Sequence, residues 1–360
     1  MKEKVGIGII GTGFARRIQI PAFLACEGVS IASIASGTLK NAKDAAAEFG
    51  AAHATDDWRE TVSRPDVDLV CITTPPYLHR SMTLEAAAAG KHILCEKPMA
   101  MNTAEAEEMT AAVGGKPILA LIDHELRYQP GRLLAYQMLR EGAIGRVRHS
   151  KAIFQAPHRG DPNLPWNWWS DASAGGGALG AIASHIIDSF LWFLGTDILS
   201  VFCQLHTHIK ERPDAGGEMR AVTSDDESNM LLRFADGSLT DDATGLVSIS
   251  MTELPKYKNR MEFYGENGTL RVDGLGELFI ARRGDKDWTP IEVGLGLPIP
   301  GVPDTGFSRG FMEFAPKIID AVKNGESVIE HAATFEDGLR TQRVLDAAAS
   351  SNSSGCAVSL

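Results

Sequence analysis

Three hundred and sixty residues, 44% apolar and 22% charged, are enough for about two domains that each bury a core. The formal net charge of -11 argues against nucleic acid or an anionic membrane as partner, since both select a basic face. Cys26, Cys71, Cys95, Cys203 and Cys356 are odd in number and lack CxxC spacing, which points to reduced thiols and a cytoplasmic protein.

The opening Met-Lys-Glu-Lys leads straight into an apolar run, so no secretory leader is expected, and no stretch is expected to span a bilayer. Val5 to Ile10 is that run. It ends in Gly11-Thr12-Gly13-Phe14 and continues into a helix-compatible segment, which reads as strand, tight turn and helix start. Glycine suits a backbone that must turn sharply and approach a ligand, and the free N–H groups of the following helix make a pyrophosphate site. The third small position of GxGxxG is Arg16, with Ala15 one residue earlier, so looser helix-on-strand packing is expected.

Val29 to Ala35 reads as a second strand and Leu39 to Phe49 as an Ala-rich helix. Val67 to Thr73 is a buried strand ended by Thr74-Pro75-Pro76. A helix from His79 to Ala89, a strand His92 to Cys95, a helix Thr103 to Val113 and the run Pro117 to Ile122 follow. This alternation predicts an α/β fold, with residues 1–123 forming a Rossmann-type, doubly wound parallel sheet. Ligands of such sheets lie beyond the carboxyl ends of the strands. Thr73-Thr74-Pro75, Glu96-Lys97-Pro98 and His124 fall there, on the edge that carries Gly11 and Gly13.

Past His124 the rhythm changes. Pro130 to Glu141 reads as a helix, Val147 to Phe154 as a strand, and Pro162 to Trp169 as a loop. Gly175-Gly176-Gly177 leads into an apolar helix, Ala178 to Leu194. Strands joined by turns run to about Ile291, with Asp236-Gly237 and Asn267-Gly268 as hairpin signals. A Pro/Gly-rich loop, Gly294 to Thr305, precedes closing helices at Phe311 to Val322 and Thr334 to Ala349. Residues 124–360 are thus expected to form an α+β substrate-binding and oligomerisation domain with a largely antiparallel open sheet. Its closing helices are free to pack back on the first domain.

At the end of the second strand, NAD enzymes usually carry an acidic residue for the ribose hydroxyls. Here the chain reads Ala35-Ser36-Gly37-Thr38-Leu39-Lys40. The Ser36 and Thr38 hydroxyls, the Gly37 N–H and the Lys40 ammonium suit a 2′-phosphate, with Arg16 and Arg17 adding positive charge. NADP is therefore favoured, with NAD left open. The plainer reading makes Lys40 a solvated helix residue.

With Glu96-Lys97-Pro98 added to the glycine turn, the chain resembles the glucose–fructose oxidoreductase / inositol dehydrogenase / rhizopine-catabolism (Gfo/Idh/MocA) family over almost its whole length. Gly8 to Gly13, Thr73 to His79 and Glu96-Lys97-Pro98 resemble its cofactor-domain motifs, which implies nucleotide contacts from Gly11, Thr12, Gly13, Phe14, Thr74, Pro75, His79, Glu96 and Lys97. His124 to Pro130 resembles its crossover into the second domain. The likeness places Lys97 beside the nicotinamide and the reacting carbinol, where an ammonium can bond the substrate oxygen and move its proton. Pro98 resembles a position that often follows a cis peptide bond. His185, on the glycine-led helix, resembles the histidine that shares the proton transfer. Many members carry aspartate four residues before it, where this chain has Ala181; Asp188 could orient His185 or serve the structure.

His124 and Arg127 face the cleft in that family and, with Asp188, join the substrate candidates. Trp166-Asn167-Trp168-Trp169 with Asp171 suits a sugar, through stacking by Trp168 and hydroxyl contacts by Asp171, or else anchors the loop. His206 and His208 alternate on a strand without further ligand spacing, so no metal is expected. The resemblance implies an NAD(P)-dependent sugar or cyclitol dehydrogenase that forms a homodimer or homotetramer. A non-catalytic, dinucleotide-sensing regulator on the same fold is the alternative.

Overall fold

The computed structural model describes residues 3–296, 298 and 301–360. The chain forms two compact units, Met1–Tyr128 with Gly296–Leu339, and Gln129–Leu295 with Arg340–Leu360. The first boundary falls after Tyr128 rather than after residue 123. The reason is the short 3-10 turn Glu125–Tyr128, whose Tyr128 ring stacks on Phe314 at 4.3 Å and whose hydroxyl donates to the Glu330 carbonyl at 2.8 Å. Part of the expected Gly294 to Thr305 loop lies outside the described residues.

In the first unit the elements run β1 Val5–Ile10, α1 Ile20–Leu24, β2 Val29–Ala35, α2 Leu39–Phe49, β3 His53–Thr55, α3 Trp58–Ser63, β4 Leu69–Ile72, α4 His79–Ala88, β5 His92–Cys95, α5 Thr103–Val113 and β6 Ala120–Ile122. Strands β1 to β6 lie in the order β3-β2-β1-β4-β5-β6 and pair in parallel. This is the doubly wound order, and the chain direction across the sheet switches between β1 and β4. Both faces are covered. In β4, Leu69 and Cys71 enter one core while Val70 and Ile72 enter the other, as the two-residue repeat of a strand requires. Val67-Asp68 and Thr73, expected within that strand, flank it instead.

The second unit contains α6 Pro130–Arg140, β7 Val147–Gln155, α7 Ser184–Leu194, β8 Ile198–His206, β9 Glu211–Pro213, β10 Met219–Ala221, β11 Glu227–Phe234, β12 Thr240–Ser250, β13 Lys258–Gly265, β14 Gly268–Asp273, β15 Leu278–Arg282 and β16 Thr289–Ile291. Apart from the small β9–β10 ribbon, these strands make an open sheet that is antiparallel except where β12 meets β7. Both hairpin signals are turns between antiparallel partners, β11–β12 and β13–β14. One face is packed: in β11, Met230, Leu232 and Phe234 are buried while Leu231 is exposed. All of α7 is buried.

The run Ala172–Leu194 does reach the length and mean hydropathy, 1.4, of a membrane span, against the expectation from sequence. Its most apolar window is 78% buried, the mark of a core helix. The chain then returns to the first unit with α8 Gly306–Asn324 and the short β17 Ala333–Thr334, which pairs antiparallel with β6. Finally α9 Phe335–Ser354 runs five residues past its expected end, and β18 Val358–Ser359 pairs with β8.

Candidate active site

The switch point between β1 and β4 builds the candidate site of the first unit. Gly11 has φ +99°, and a Cβ there would lie 2.6 Å from the Thr73 carbonyl oxygen, so only glycine lets the two turns meet. Thr73 Oγ1 donates to the Gly11 carbonyl at 2.7 Å and lies 3.1 Å from that of Ile10. Gly13 is different: nothing lies within 4 Å of where its Cβ would be. The first glycine closes the turn and the second leaves room for a ligand.

The expected looseness at Arg16 does not occur. Residues Ala15–Gln19 form a π-helical turn that puts Ala15, fully buried, against the core and sends Arg16 outward to Glu48 (Nε–Oε2 2.5 Å). Phe14 packs partly buried beside that core.

The expected 2′-phosphate cluster is not assembled. Thr38 caps α2, its hydroxyl accepting from the Asn41 N–H at 3.3 Å, and the Lys40 ammonium donates to Asp44 at 2.6 Å. Arg16 is taken by Glu48. What remains open is Gly37, with nothing within 4 Å of its Cβ position, beside a Ser36 hydroxyl 3.2 Å from that of Thr12.

His79, a nucleotide candidate, acts as a brace within the protein. It is buried, with Nε2 2.8 Å from the Thr74 carbonyl and Nδ1 3.1 Å from the Pro98 carbonyl, so it ties the end of β4 to the segment after β5. Burial holds its pKa below the ordinary value, and the charge of Lys97 adds to this. Thr74 Oγ1 turns to Met82 Sδ at 3.5 Å, while Pro75 is extended and opens the turn Pro76–Leu78.

The Lys97–Pro98 peptide bond is cis. Lys97 is half-buried and Glu96 is buried. Its Oε1 accepts from Gln19 Nε2 at 3.1 Å, and the same nitrogen donates to Asp123 Oδ2 at 2.6 Å. Burial pushes the pKa values of both Glu96 and Asp123 up. Sequence reasoning missed Gln19 and Asp123. Asp123 directly follows β6 at the functional edge and was within reach of that argument, whereas Gln19 is brought in by the π-helical turn.

His124 is buried at the same edge, its N–H donating to the Ile122 carbonyl at 2.8 Å. Arg127, a substrate candidate, also ties the structure at this edge. Its guanidinium is buried, 3.3 Å from the His331 carbonyl and 3.6 Å from Asp337.

In the second unit the glycine triplet is packed rather than open. A Cβ on Gly176 would lie 2.3 Å from the Trp169 carbonyl oxygen, and one on Gly177, at φ +114°, would lie 2.3 Å from Asp225 Oδ1. Asp225 Oδ2 accepts from the Leu179 N–H at 2.8 Å, at the start of the π-helical turn Leu179–Ala183 that feeds α7. Burial raises the Asp225 pKa to about 6. No local sequence signal links Asp225 to a glycine so distant in the chain.

His185 and Asp188 are both buried in the first turns of α7, and the His185 carbonyl accepts from Ser189 Oγ at 2.6 Å. Asp171, a substrate candidate, caps a turn, accepting from the Ser173 N–H at 2.9 Å and its hydroxyl at 2.7 Å. Trp166 and Trp169 anchor the loop under Arg220 and Arg159, at 3.4 and 3.6 Å. Trp168 stays exposed. His206 and His208 have ring centroids 4.5 Å apart, and the described residues contain no group of three metal-binding side chains.

A family model described as an oxidoreductase family with an NAD-binding Rossmann fold (GFO_IDH_MocA) matches residues 5–122, and one for the GFO/IDH/MocA C-terminal domain matches residues 133–271. The chain belongs to the Gfo/Idh/MocA family and is an oxidoreductase of CH–OH groups. The levoglucosan dehydrogenase of Pseudarthrobacter phenanthrenivorans is 31% identical to it, over 96% of this chain and 95% of its own. A levoglucosan dehydrogenase structure in complex with NADH and L-sorbose has a TM-score of 0.87 at 30% identity, covering 100% of this chain and 99% of that one. An aldose-aldose oxidoreductase from Caulobacter crescentus, complexed with glycerol, gives 0.79 at 27%, covering 99% and 100%.

Proposed function

We propose that this protein transfers hydride between a nicotinamide dinucleotide and a secondary alcohol or ketone of a sugar, sugar derivative or cyclitol. The observation that carries the reading is Lys97 at the carboxyl end of β5, on the sheet edge whose glycine turn leaves open space at Gly13. Those residues suit the nucleotide: the Gly11 turn with the backbone N–H groups from Thr12 to Phe14 for the pyrophosphate, Ser36 and Gly37 for the ribose, and the Thr74–Pro75 turn beside them. When bound, the cofactor supplies the two-electron chemistry. The work of Lys97 is to hydrogen-bond the substrate oxygen, stabilise its developing charge and carry its proton. His185 serves as the second proton-handling group from α7.

NAD(H) is the proposed cofactor. No carboxylate at Ser36–Lys40 repels a 2′-phosphate, but Lys40 and Arg16 are already committed to Asp44 and Glu48, so the expected preference for NADP loses its physical basis. The NADH complexes of levoglucosan dehydrogenase support the same choice. We also propose a cytoplasmic homo-oligomer formed through the open sheet, whose exposed Leu199, Leu231 and Leu246 lie on its unpacked face. A monomeric mass by light scattering would remove that proposal.

The deciding experiment pairs nucleotide titration with turnover of a panel of sugars, for the natural protein and Lys97→Met. Retained NADH affinity with turnover reduced by about three orders of magnitude is expected. Unchanged turnover in the variant would remove Lys97 from the mechanism.

A further inference from the structure

We propose that Glu96 and Asp123 form a proton-sharing carboxyl pair, held by Gln19, that sets the negative charge presented to Lys97 when the substrate's hydroxyl proton is moved. The proposal rests on the role of Lys97 given above and adds three residues to it.

The pair is placed by the sheet. The Glu96 N–H donates to the Ile72 carbonyl at 2.9 Å and the Asp123 N–H to the Cys95 carbonyl at 2.8 Å, so two neighbouring strands end side by side, each in a carboxylic side chain. The two carboxyl groups lie side by side, close enough to share a single donor. Gln19 closes the group from the other side, one amide nitrogen donating to both, and its side chain is fully buried.

Counting donors against acceptors leads to the same place. Gln19 Oε1 and Asp123 Oδ1 are buried and have no hydrogen-bond partner among the described residues. A buried group with more acceptors than donors is relieved by one more proton. The charged groups around the pair divide cleanly. Lys97 favours ionisation of both acids, while the buried Glu125 opposes ionisation of Asp123. The Cys71 and Cys95 thiols facing the group are pushed far up by burial and stay neutral. Two adjacent buried acids that share one donor favour a single shared proton, and they titrate as a unit.

In the oxidation direction the substrate O–H bond breaks and an N–H bond forms on Lys97. The single charge of the pair then lies opposite the new ammonium, and the pair keeps its own proton. Glu96, Asp123 and Gln19 are positioning residues in this scheme; none touches substrate.

Infrared spectroscopy of the nucleotide-free protein tests the pair without reference to activity. The natural protein is expected to show the carbonyl stretch of a protonated, buried carboxylic acid at neutral pH. Asp123→Asn and Glu96→Gln each abolish it, and Glu125→Gln leaves it in place. Either of the first two variants suffices if the other fails to give a natural melting transition. Absence of the band from the natural protein, or its persistence in both variants, would overturn the pair whatever the enzyme does.

The link to Lys97 is read from kinetics. In both variants kcat is expected to fall about tenfold with KM for NADH within about twofold, and the kcat–pH profile to lose its ionisation in the neutral range. A pH profile identical to that of the natural protein would overturn the link. Full turnover by Lys97→Met, with the infrared result as expected, would instead overturn the functional reading while the pair stood.

Discussion

Gly11 and Gly13 in the first unit, and Gly176 and Gly177 in the second, belong to similar turns leading into a helix, yet their surroundings differ. Gly13 borders empty space, whereas Gly176 and Gly177 are pressed against a carbonyl oxygen and a buried carboxylate. At Gly11, Gly176 and Gly177 the missing Cβ makes room for the protein itself; at Gly13 it leaves open space. A glycine-rich turn therefore says only that something comes close, and the neighbour decides what.

The contrast breaks most sharply at Gly177. Gly177→Ala forces a Cβ onto Asp225 at a positive φ, and an unfolding loss of about 3–5 kcal/mol is expected by denaturant titration, with NADH affinity of the surviving folded protein unchanged. A loss below about 1 kcal/mol would mean that the turn relaxes and that the packing described is not tight.

Asp225 gives the next largest effect. Its pKa rises from 3.8 to about 6 on folding, so between those values the native state keeps a proton that the unfolded chain has lost. Stability then falls as pH rises through that window, by about 3 kcal/mol in total, and is level below it. Asp225→Asn should remove this slope from the pH dependence of unfolding; an unaltered slope would assign it to other groups.

Gly13→Ala sharpens the comparison from the other side. With nothing within 4 Å, the new methyl costs the fold less than about 0.5 kcal/mol, but it occupies the approach to the nucleotide. NADH affinity should weaken about tenfold by fluorescence titration. Unaltered affinity would move the nucleotide away from this turn. The smallest effect is expected at Lys40, exposed and paired with Asp44. Lys40→Ala should leave the melting temperature and the ratio of NADH to NADPH affinity unchanged within error; a tenfold loss confined to NADPH would restore the 2′-phosphate reading.

The site of the first unit was legible because a parallel sheet gathers the carboxyl ends of its strands on one edge. Short motifs around Gly11, Thr74 and Lys97 could be placed there without any long-range contact being known. What was not legible is where a side chain is held by a residue far away or by an unforeseen local geometry. Arg127 is taken by His331 and Asp337, and His79 by Thr74 and Pro98. Asp171 spends its oxygen on its own turn. Gln19 reaches the acids because Ala15–Gln19 winds as a π-helical turn, a register that an expected α-helix does not give. Hydrophobic periodicity carries no information about such claims.

The split of the first unit bears on how the protein is made. One face of the parallel sheet, including Ile7 and Ile9, is covered by Phe311, Phe314 and Ile318 of α8. That helix is synthesised only after all of Gln129–Leu295. A nascent chain that has completed β1 to β6 therefore still presents an uncovered apolar face. Folding domain by domain from the N-terminus, the usual course during translation, is closed to this unit. A fragment ending at Tyr128 should accordingly aggregate, and supplying Gly296–Leu339 in trans should rescue it.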